Sequence, residues 1–276
     1  MIKYTVENIT TLVDQKVFKD GSVNININTG SSLTDFDVKQ VLVEGWIKSS
    51  DDLMALILAT SAIRSHYPRA QLGLFLYYTM YGRQDRACNP GEAVGIKVFS
   101  DIINTLEYTS VLIFDPHSHV TPACIKNSQV VGQFDIFGSV KQSWREWTIV
   151  APDAGATKKC EDFAKRVGAK DVLTFNKVRD MQSVEITHLE PNTPIQPNSG
   201  GKYFVLDDIC DGGRTFVGVS NAIGAVDEFA TIELAVTHGI FSYGVEVVTD
   251  VFSHVYTTNS FHPDMQSNEK VTVINI

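Results

Sequence analysis

Apolar and polar residues follow one another in blocks that predict alternating strands and helices. Short apolar runs are typical of buried strands, and apolar residues three or four positions apart are typical of helices. Between 16 and 28, Val23, Ile25 and Ile27 alternate with asparagine, which indicates a strand with one exposed face. Further strands are predicted at 41–47, 71–78, 111–114, 147–150, 171–175, 184–189, 203–206, 232–236, 254–258 and 271–276.

Helical spacing places helices between these strands. The first helix is predicted to begin at Ser50, whose side chain suits an N-cap, and to bury Leu56 and Ile63. The remaining helices are predicted at 94–106, at 160–167 and from residue 216 onwards.

Strands that alternate with helices predict parallel sheets joined by right-handed crossovers. The same rhythm recurs in the second part of the chain. We therefore expect an α/β fold of two similar halves, 1–138 and 139–276, in which the last strands either stay in the second half or pack back on the first.

Polar clusters follow at least four of the predicted strands. They are Asp115 with His117, Asp153, Asp207 with Asp208, and Thr237 with His238. The carboxyl ends of parallel strands share one edge, where ligands bind in open α/β sheets. Loops are polar in any case, so these clusters indicate a site at that edge only when further observations support it.

Charge and cysteine content narrow the range of partners. The formal net charge of -9 argues against nucleic acid as a partner, because phosphate-backbone binding needs clustered cations. The four cysteines form no CxxC pair, so we expect small buried thiols rather than a zinc site or a disulfide framework.

The first residues lack the apolar core of a signal peptide, and no apolar run is long enough to span a membrane. We expect a cytoplasmic protein without a membrane partner.

The stretch from 203 to 215 carries the most distinctive pattern. An apolar strand is followed by Asp207 and Asp208, then by an acidic glycine turn and the start of a helix. Glycines let the backbone approach an anion, and N–H groups at a helix N-terminus converge on it. The two acids suit ribose hydroxyls or a hydrated Mg²⁺, so the pattern favours a sugar phosphate. An ordinary acidic turn that caps a helix is the alternative, and the pattern alone leaves both open.

This stretch resembles the phosphoribosyl diphosphate (PRPP) loop of type I phosphoribosyltransferases and of ribose-phosphate pyrophosphokinases. The resemblance implies that the loop binds the 5-phosphate while the two acids bind the ribose hydroxyls. Arg214 stands where the family usually has a small residue, and it places a cation beside the phosphate. The residues that the resemblance assigns to ribose 5-phosphate or PRPP are Asp207, Asp208, Asp211, Gly212, Gly213, Arg214 and Thr215.

Other clusters match the pyrophosphokinases in the same order, from about residue 18 to residue 259. Two departures accompany them, since Ser22 replaces the usual glutamate and Pro116 replaces the usual leucine. The matching clusters are Phe18-Lys19-Asp20-Gly21, Tyr81-Gly82-Arg83-Gln84-Asp85-Arg86, Asp115-Pro116-His117, Pro152-Asp153-Ala154-Gly155, Lys177-Val178-Arg179 and Thr237-His238-Gly239.

The resemblance also implies a role for all of these clusters except Thr237-His238-Gly239. It assigns catalysis to Lys177 and Arg179 on a flexible loop, and a Mg²⁺ site to His117 and Asp153. The segment at 18–21 would contribute to the ATP site of a neighbouring subunit. The residues assigned to ATP are Phe18, Asp20, Gly21, Arg83, Gln84, Asp85 and His117.

The implied fold has two phosphoribosyltransferase-like halves, each a mainly parallel sheet flanked by helices, with ATP on the first half and ribose 5-phosphate on the second. The implied activity is transfer of the β,γ-diphosphoryl group of ATP to C1 of ribose 5-phosphate, which yields PRPP and AMP. A site shared between subunits implies a homo-oligomer, a dimer or a multiple of it. Two alternatives stay open, a phosphoribosyltransferase that consumes PRPP and a non-catalytic regulatory relative.

Overall fold

A computed structural model of the chain describes residues 1–29, 38–179 and 186–276, with the backbone alone described at 177–179 and 186–188. The chain forms two compact units, Met1–Val131 and Gly132–Ile276. The sequence places the boundary between 138 and 139, a few residues after the boundary that the structure has. The difference arises because the short helix at Gln133–Phe137 belongs to the second unit. Among the described residues, no helix combines the length and the apolar character that crossing a bilayer requires.

The first unit contains a mainly parallel sheet with strand order β2-β1-β5-β6-β7-β8 and a separate antiparallel hairpin of β3 and β4. Strands β5 to β8 run parallel, and β1 joins them antiparallel. The described elements of this unit are β1 (Ile2–Val6), β2 (Ile9–Leu12), β3 (Asp14–Val17), β4 (Val23–Asn26), β5 (Gln40–Trp46), α1 (Ser50–His66), β6 (Gln71–Tyr78), α2 (Gly95–Thr105), β7 (Ser110–Phe114), α3 (Val120–Cys124) and β8 (Ser128–Val131).

The core of the first unit lies between its sheet and the helices α1 and α2. Leu72, Leu74 and Leu76 alternate along β6 on the face that packs against these helices. Helix α1 confirms the predicted helix, but its N-cap is Ser49 rather than Ser50. The Ser49 hydroxyl accepts a hydrogen bond from the Asp52 amide, while the Asp52 carboxylate accepts one from the Ser49 amide.

The second unit contains a sheet with strand order β11-β10-β9-β12-β13-β14-β15. All neighbouring pairs are parallel except β10 with β11. The described elements are α4 (Gln133–Phe137), β9 (Trp147–Ala151), α5 (Thr157–Val167), β10 (Asp171–Arg179), β11 (Ile186–Pro191), β12 (Lys202–Cys210), α6 (Arg214–Gly224), β13 (Thr231–Gly239), α7 (Glu246–Thr249), β14 (His254–Thr258) and β15 (Val271–Ile274).

The predicted α/β class with mainly parallel sheets is confirmed. The last strands pair within the second sheet, β14 with β13 and β15 with β14, and their packing against the first half stays a prediction. Several strands are longer than their apolar runs. Strand β12 continues through Asp207 to Cys210, because its backbone keeps pairing with β13 beyond the point where the side chains become polar.

The four cysteines form no disulfide. The prediction of buried thiols is confirmed for Cys160 and Cys210, but it is wrong for Cys88, which is exposed, and Cys124 is only half-buried. Burial, followed by the charges of Asp207 and Asp211, raises the pKa of the Cys210 thiol to about 12. This thiol is therefore protonated and unreactive at neutral pH.

Candidate functional site

The proposed phosphate loop joins β12 to α6. The strand ends at Cys210, and the helix begins at Arg214 after Gly213, which adopts a φ of +76°. Glycine suits this position because a side chain in the left-handed region is strained. Among the residues that the structure describes, no side chain forms a capping hydrogen bond at the start of α6. Its first N–H groups have no carbonyl partner within the helix, so they are available to an anion.

The side chains around this turn differ in exposure. Arg214 is exposed, and Thr215 is half-buried at the first turn of α6. The predicted helix start at Phe216 lies two residues too late, because the polar residues Arg214 and Thr215 already have helical backbone. The turn thus has the strand, glycine and helix geometry that the sequence predicts, with a cation and a hydroxyl beside the N-terminus.

Asp207 and Asp208 adjoin at the carboxyl edge of the second sheet, where the charge of Asp153 also acts on Asp207. Asp208 is only 4% exposed, and its amide donates a 2.8 Å hydrogen bond to the Asp207 carboxylate. Burial, followed by the charge of Asp208, raises the pKa of Asp207 well above its usual range, and the charge of Asp153 adds to this effect. A site that accumulates negative charge in this way favours cations and hydrogen-bond donors.

Lys159 is a member of this cluster that sequence reasoning missed. Its ammonium lies 3.9 Å from the Asp208 carboxylate, and its side chain is 28% exposed. Helix α5, which follows the strand-end cluster containing Asp153, positions it. The signal in the sequence was a lysine in the first turn of the helix after Pro152-Asp153, but only the packing of α5 beside β12 pairs it with Asp208.

The Thr237-His238-Gly239 cluster, which was expected to follow the strand, lies within it. These residues complete β13, where Thr237 is fully buried and His238 is 2% exposed. A ring nitrogen of His238, Nδ1, lies 2.8 Å from the hydroxyl of Ser260, which also donates to the Thr237 carbonyl at 3.0 Å. The cluster therefore belongs to a buried hydrogen-bond network within the second unit.

In the first unit, the segment Tyr81 to Arg86 and the turn after β7 come together. A methyl group in place of the Gly82 hydrogen would lie 3.6 Å from Cβ of His117. The Arg83, Gln84 and His117 side chains are exposed, and Asp85 is half-buried. The structure thus brings two of the three ATP-assigned clusters of this unit to one edge of its sheet, after β6 and β7 respectively.

Asp115 introduces backbone strain at the same edge. Its φ is +34°, its side chain is 2% exposed, and its amide donates to the Val131 carbonyl at 2.8 Å. A non-glycine residue with positive φ costs roughly 1–3 kcal/mol and persists only where the surroundings impose it. The backbone bends at Asp115, directly after β7 and two residues before His117.

The 18–21 cluster forms the tip of the β3–β4 hairpin. The Gly21 amide donates to the Phe18 carbonyl at 2.9 Å, and Gly21 has a φ of +83°. The Ser22 hydroxyl donates to the Asp20 carboxylate at 2.7 Å, and this bond, with that from the Ser22 amide, lowers the pKa of Asp20. The Phe18 side chain is 45% exposed, and the tip therefore presents an aromatic ring and a carboxylate to solvent.

Lys177 and Arg179 lie in the last part of β10, not in the loop that was expected to follow Phe175. Their backbones pair with Leu189 and Ile186 of β11. The predicted strand at 184–189 is confirmed from residue 186 onwards, whereas 184 and 185 lie outside the described residues. The remainder of the expected flexible loop, 180–185, also lies outside them, so the assignment of catalysis to Lys177 and Arg179 stays a prediction.

Carboxylate oxygens are the ligands that suit Mg²⁺ here, and Asp153, Asp207 and Asp208 supply them. Within the described part of the chain, no group of three or more His, Cys, Asp or Glu side chains has the arrangement of a ready-made metal cage. This donor set fits an ion that keeps several waters and is held by one or two carboxylates together with substrate phosphates. His117 lies in the first unit and Asp153 in the second.

Comparison with known proteins places these observations in a family context. No family model matches the chain. The ribose-phosphate pyrophosphokinase of Aquifex aeolicus is 26% identical over 274 residues, which cover 94% of this chain and 82% of that protein. The ribose-phosphate pyrophosphokinase of Hyphomonas neptunium is 25% identical over 279 residues, which cover 95% and 81%.

A solved structure shares the fold. The crystal structure of phosphoribosylpyrophosphate synthetase from Mycobacterium smegmatis superposes with a TM-score of 0.78 at 17% identity, covering 96% of this chain and 86% of that one. The resemblance that the motifs indicated is thereby confirmed. The chain is similar to ribose-phosphate pyrophosphokinases over nearly its whole length, and it shares the fold of the phosphoribosylpyrophosphate synthetase.

Proposed function

We propose that the protein is a ribose-phosphate diphosphokinase, which transfers the β,γ-diphosphoryl group of ATP to the C1 hydroxyl of ribose 5-phosphate. The observation that carries this proposal is the carboxyl edge of the second sheet, where a helix N-terminus lies beside Asp207 and Asp208. Similarity to curated pyrophosphokinases over most of the chain supports it.

The acceptor sugar occupies this edge in the proposal. Its 5-phosphate binds the loop from Asp211 to Thr215, and its hydroxyls donate to Asp207 and Asp208. Like-charged neighbours and burial disfavour the ionised form of Asp207, so ribose hydroxyls that donate to it would relieve the cost of that charge. Sugar binding and the ionisation of this carboxyl are therefore coupled.

The nucleotide binds the carboxyl edge of the first sheet in the proposal. Arg83 and Gln84 contact the adenine and phosphates, with Asp85 and His117 beside them. Their location on two adjoining surface turns supports this assignment, since ligand-binding residues lie on loops that a sheet positions. Phe18, Asp20 and Gly21 at the hairpin tip are proposed to complete the ATP site of a neighbouring copy.

Asp153 and His117 are the proposed Mg²⁺ ligands, directly or through water. When bound, the ion would neutralise charge on the ATP phosphates. The carboxylate chemistry of the second unit fits this requirement, because Mg²⁺ prefers oxygen ligands and retains water. Lys159, opposite Asp208, limits the negative charge that the site carries before the ion arrives.

Lys177 and Arg179 are the proposed catalytic residues. The C1 oxygen attacks the β-phosphorus, and the bond from that phosphorus to the α,β-bridging oxygen breaks. The bridging oxygen keeps the electron pair of this bond and leaves as part of AMP. The hydroxyl proton passes to solvent. Such transfer depends mainly on alignment and on neutralisation of spread negative charge. Two cations aimed at the transferred group would supply the second requirement.

Assembly and location follow from the same proposal. A nucleotide site completed by a second hairpin requires a homo-oligomer, a dimer or a multiple of it, and an active monomer would contradict this. Both substrates are cytoplasmic metabolites by chemical class, phosphorylated and unable to cross membranes, so the proposed location is the cytoplasm.

The test is an assay of AMP after incubation with Mg–ATP and ribose 5-phosphate. AMP formation that requires both substrates supports the proposal. PRPP consumption that requires a free base, without AMP formation, would contradict the proposal and indicate a phosphoribosyltransferase. Binding of both substrates without turnover would contradict the proposal and indicate a non-catalytic regulatory relative.

A further inference from the structure

The chain that leaves β13 folds back over the phosphate loop. The amides of Ile240 and Phe241 both donate to the Cys210 carbonyl, at 2.9 and 3.1 Å. The Ser242 amide then donates to the Asp211 carbonyl at 3.2 Å. Residues 240–242 therefore follow the loop backbone for three successive hydrogen bonds beyond the end of β13.

Side chains of the same segment cover the two glycines. A methyl group at Gly212 would lie 3.0 Å from the ring of Tyr243, and one at Gly213 would lie 3.0 Å from a methyl of Val247. Tyr243 is 69% exposed, so its ring covers the loop from the solvent side rather than from the core. The loop is therefore enclosed on one side by residues that the assignment of the phosphate site did not include.

Ser242 makes the contact with the clearest chemical consequence. Its hydroxyl donates to the Asp211 carboxylate, between residues that are 31 positions apart in the chain. Asp211 is only three residues before the first residue of α6, whose N–H groups attract anions. A carboxylate at this distance is itself an anion that can compete for those N–H groups.

We propose that Ser242 is a positioning residue that keeps the Asp211 carboxylate away from the phosphate site and holds the loop open to a phosphate. The inference rests on the proposed function, since it deepens the role of the same site. Loss of the hydroxyl removes the hydrogen bond that directs the carboxylate, so that it can turn toward the helix N-terminus and oppose the incoming phosphate. Ser242 acts through Asp211 and contacts no reacting atom.

The decisive measurement is the dissociation constant of ribose 5-phosphate by titration calorimetry, without ATP. Ser242→Ala is expected to weaken binding about 10-fold, on the scale of a lost hydrogen bond to a charged group. Ser242→Thr keeps the hydroxyl on an exposed residue and is expected to stay within about twofold of the parent protein. Ser253→Ala is the matched control, because this exposed serine donates to the Ile232 carbonyl at the amino ends of β13 and β14.

A double substitution separates positioning from general loop support. In an Asp211→Asn background the competing charge is absent, so Ser242→Ala should then change ribose 5-phosphate binding by less than about twofold. An undiminished effect of Ser242→Ala in that background would overturn the inference. Equal affinities of Ser242→Ala and the parent protein would also overturn it.

Hydrogen exchange keeps the inference testable if the proposed function fails. If the parent protein binds no ribose 5-phosphate, the function is refuted, and the exchange rates of the Gly212 and Gly213 amides decide whether Ser242 orders the loop. Ser242→Ala should raise those rates about 10-fold relative to Ser253→Ala. Unchanged rates would refute the positioning role independently of any activity.

Discussion

The assigned site residues at the carboxyl edges of the two sheets differ in their burial and in how firmly the structure holds them. In the second unit Asp208 is buried, Asp207 has a strongly raised pKa, and the loop beyond them is held by the segment after β13. In the first unit Arg83 and His117 are exposed on surface turns. The second edge is organised before a ligand arrives, whereas the first presents long side chains to solvent.

The ligands proposed for the two edges offer a physical reason for this difference. A phosphate bound by backbone N–H groups requires a rigid turn, because a shift of a few tenths of an ångström weakens every hydrogen bond at once. An ATP contact through arginine and glutamine tolerates adjustment, since these side chains reach their partner by rotation. We therefore expect substitutions of Asp207 and Asp208 to change acceptor binding or the pH dependence of stability, and substitution of Arg83 to change ATP binding alone.

The largest expected effect lies on the β10–β11 hairpin. Lys177→Ala should lower kcat by ~100-fold or more, because one preorganised electrostatic donor to the transferred group is lost. Steady-state rates of AMP formation measure it. Lys165→Ala, which removes an exposed cation from the last turn of α5, is the matched control and should leave kcat unchanged. Near-normal turnover in Lys177→Ala would refute the catalytic assignment.

Asp208→Asn should raise KM for ribose 5-phosphate about 10- to 100-fold, because a carboxylate that accepts from ribose hydroxyls contributes roughly 1.5–3 kcal/mol. Asparagine keeps the shape but loses the charge that faces Lys159. Initial rates at saturating ATP measure KM. If KM and kcat for ribose 5-phosphate stay at their parent values, Asp208 is not in the acceptor site.

Arg83→Ala should raise KM for ATP about 10-fold and leave KM for ribose 5-phosphate unchanged. The smaller effect reflects exposure, since a cation that stays in water contributes little to binding before the site closes. The comparison of the two sheet edges would fail if Arg83→Ala weakened ribose 5-phosphate as strongly as ATP. Arg69→Ala, at an exposed position just before β6 and away from its carboxyl end, provides the control.

The smallest expected effect concerns stability. Because the folded state raises the pKa of Asp207, ionising it opposes folding at any pH above its unfolded value of about 3.9. Asp207→Asn should therefore increase the free energy of unfolding by about 0.5–2 kcal/mol at neutral pH. The increase should shrink as pH falls toward 4, where Asp207 is protonated in the folded protein.

Urea unfolding of Asp207→Asn at pH 7.5 and pH 4.5 measures this dependence. Asp264→Asn, which neutralises an exposed carboxylate in the same unit, is the control. A gain that is equal at both pH values would mean that charge on Asp207 is not what opposes folding.

Much of the fold followed from residue pattern alone. Strands 71–78 and 254–258 have the predicted bounds, because each apolar run ends where the backbone also leaves the sheet. The pattern failed at Asp207 and at Thr237, where the hydrogen-bonded pairing of β12 with β13 continues although the side chains are polar. Strands β1 and β8 were not predicted at all, since their short runs mix apolar residues with threonine, lysine and glutamine.

The candidate site divides in the same way. The sequence by itself determined the strand, glycine turn and helix of the phosphate loop, and the placement of acids and histidines after the strands. Those features depend on neighbours within a few residues. Only the tertiary structure decided that Asp208 faces Lys159 and that Ser242 holds Asp211, because these contacts join different elements. Charge, burial and hydrogen bonding act between atoms that are close in space, and closeness in space is what the folded chain alone establishes.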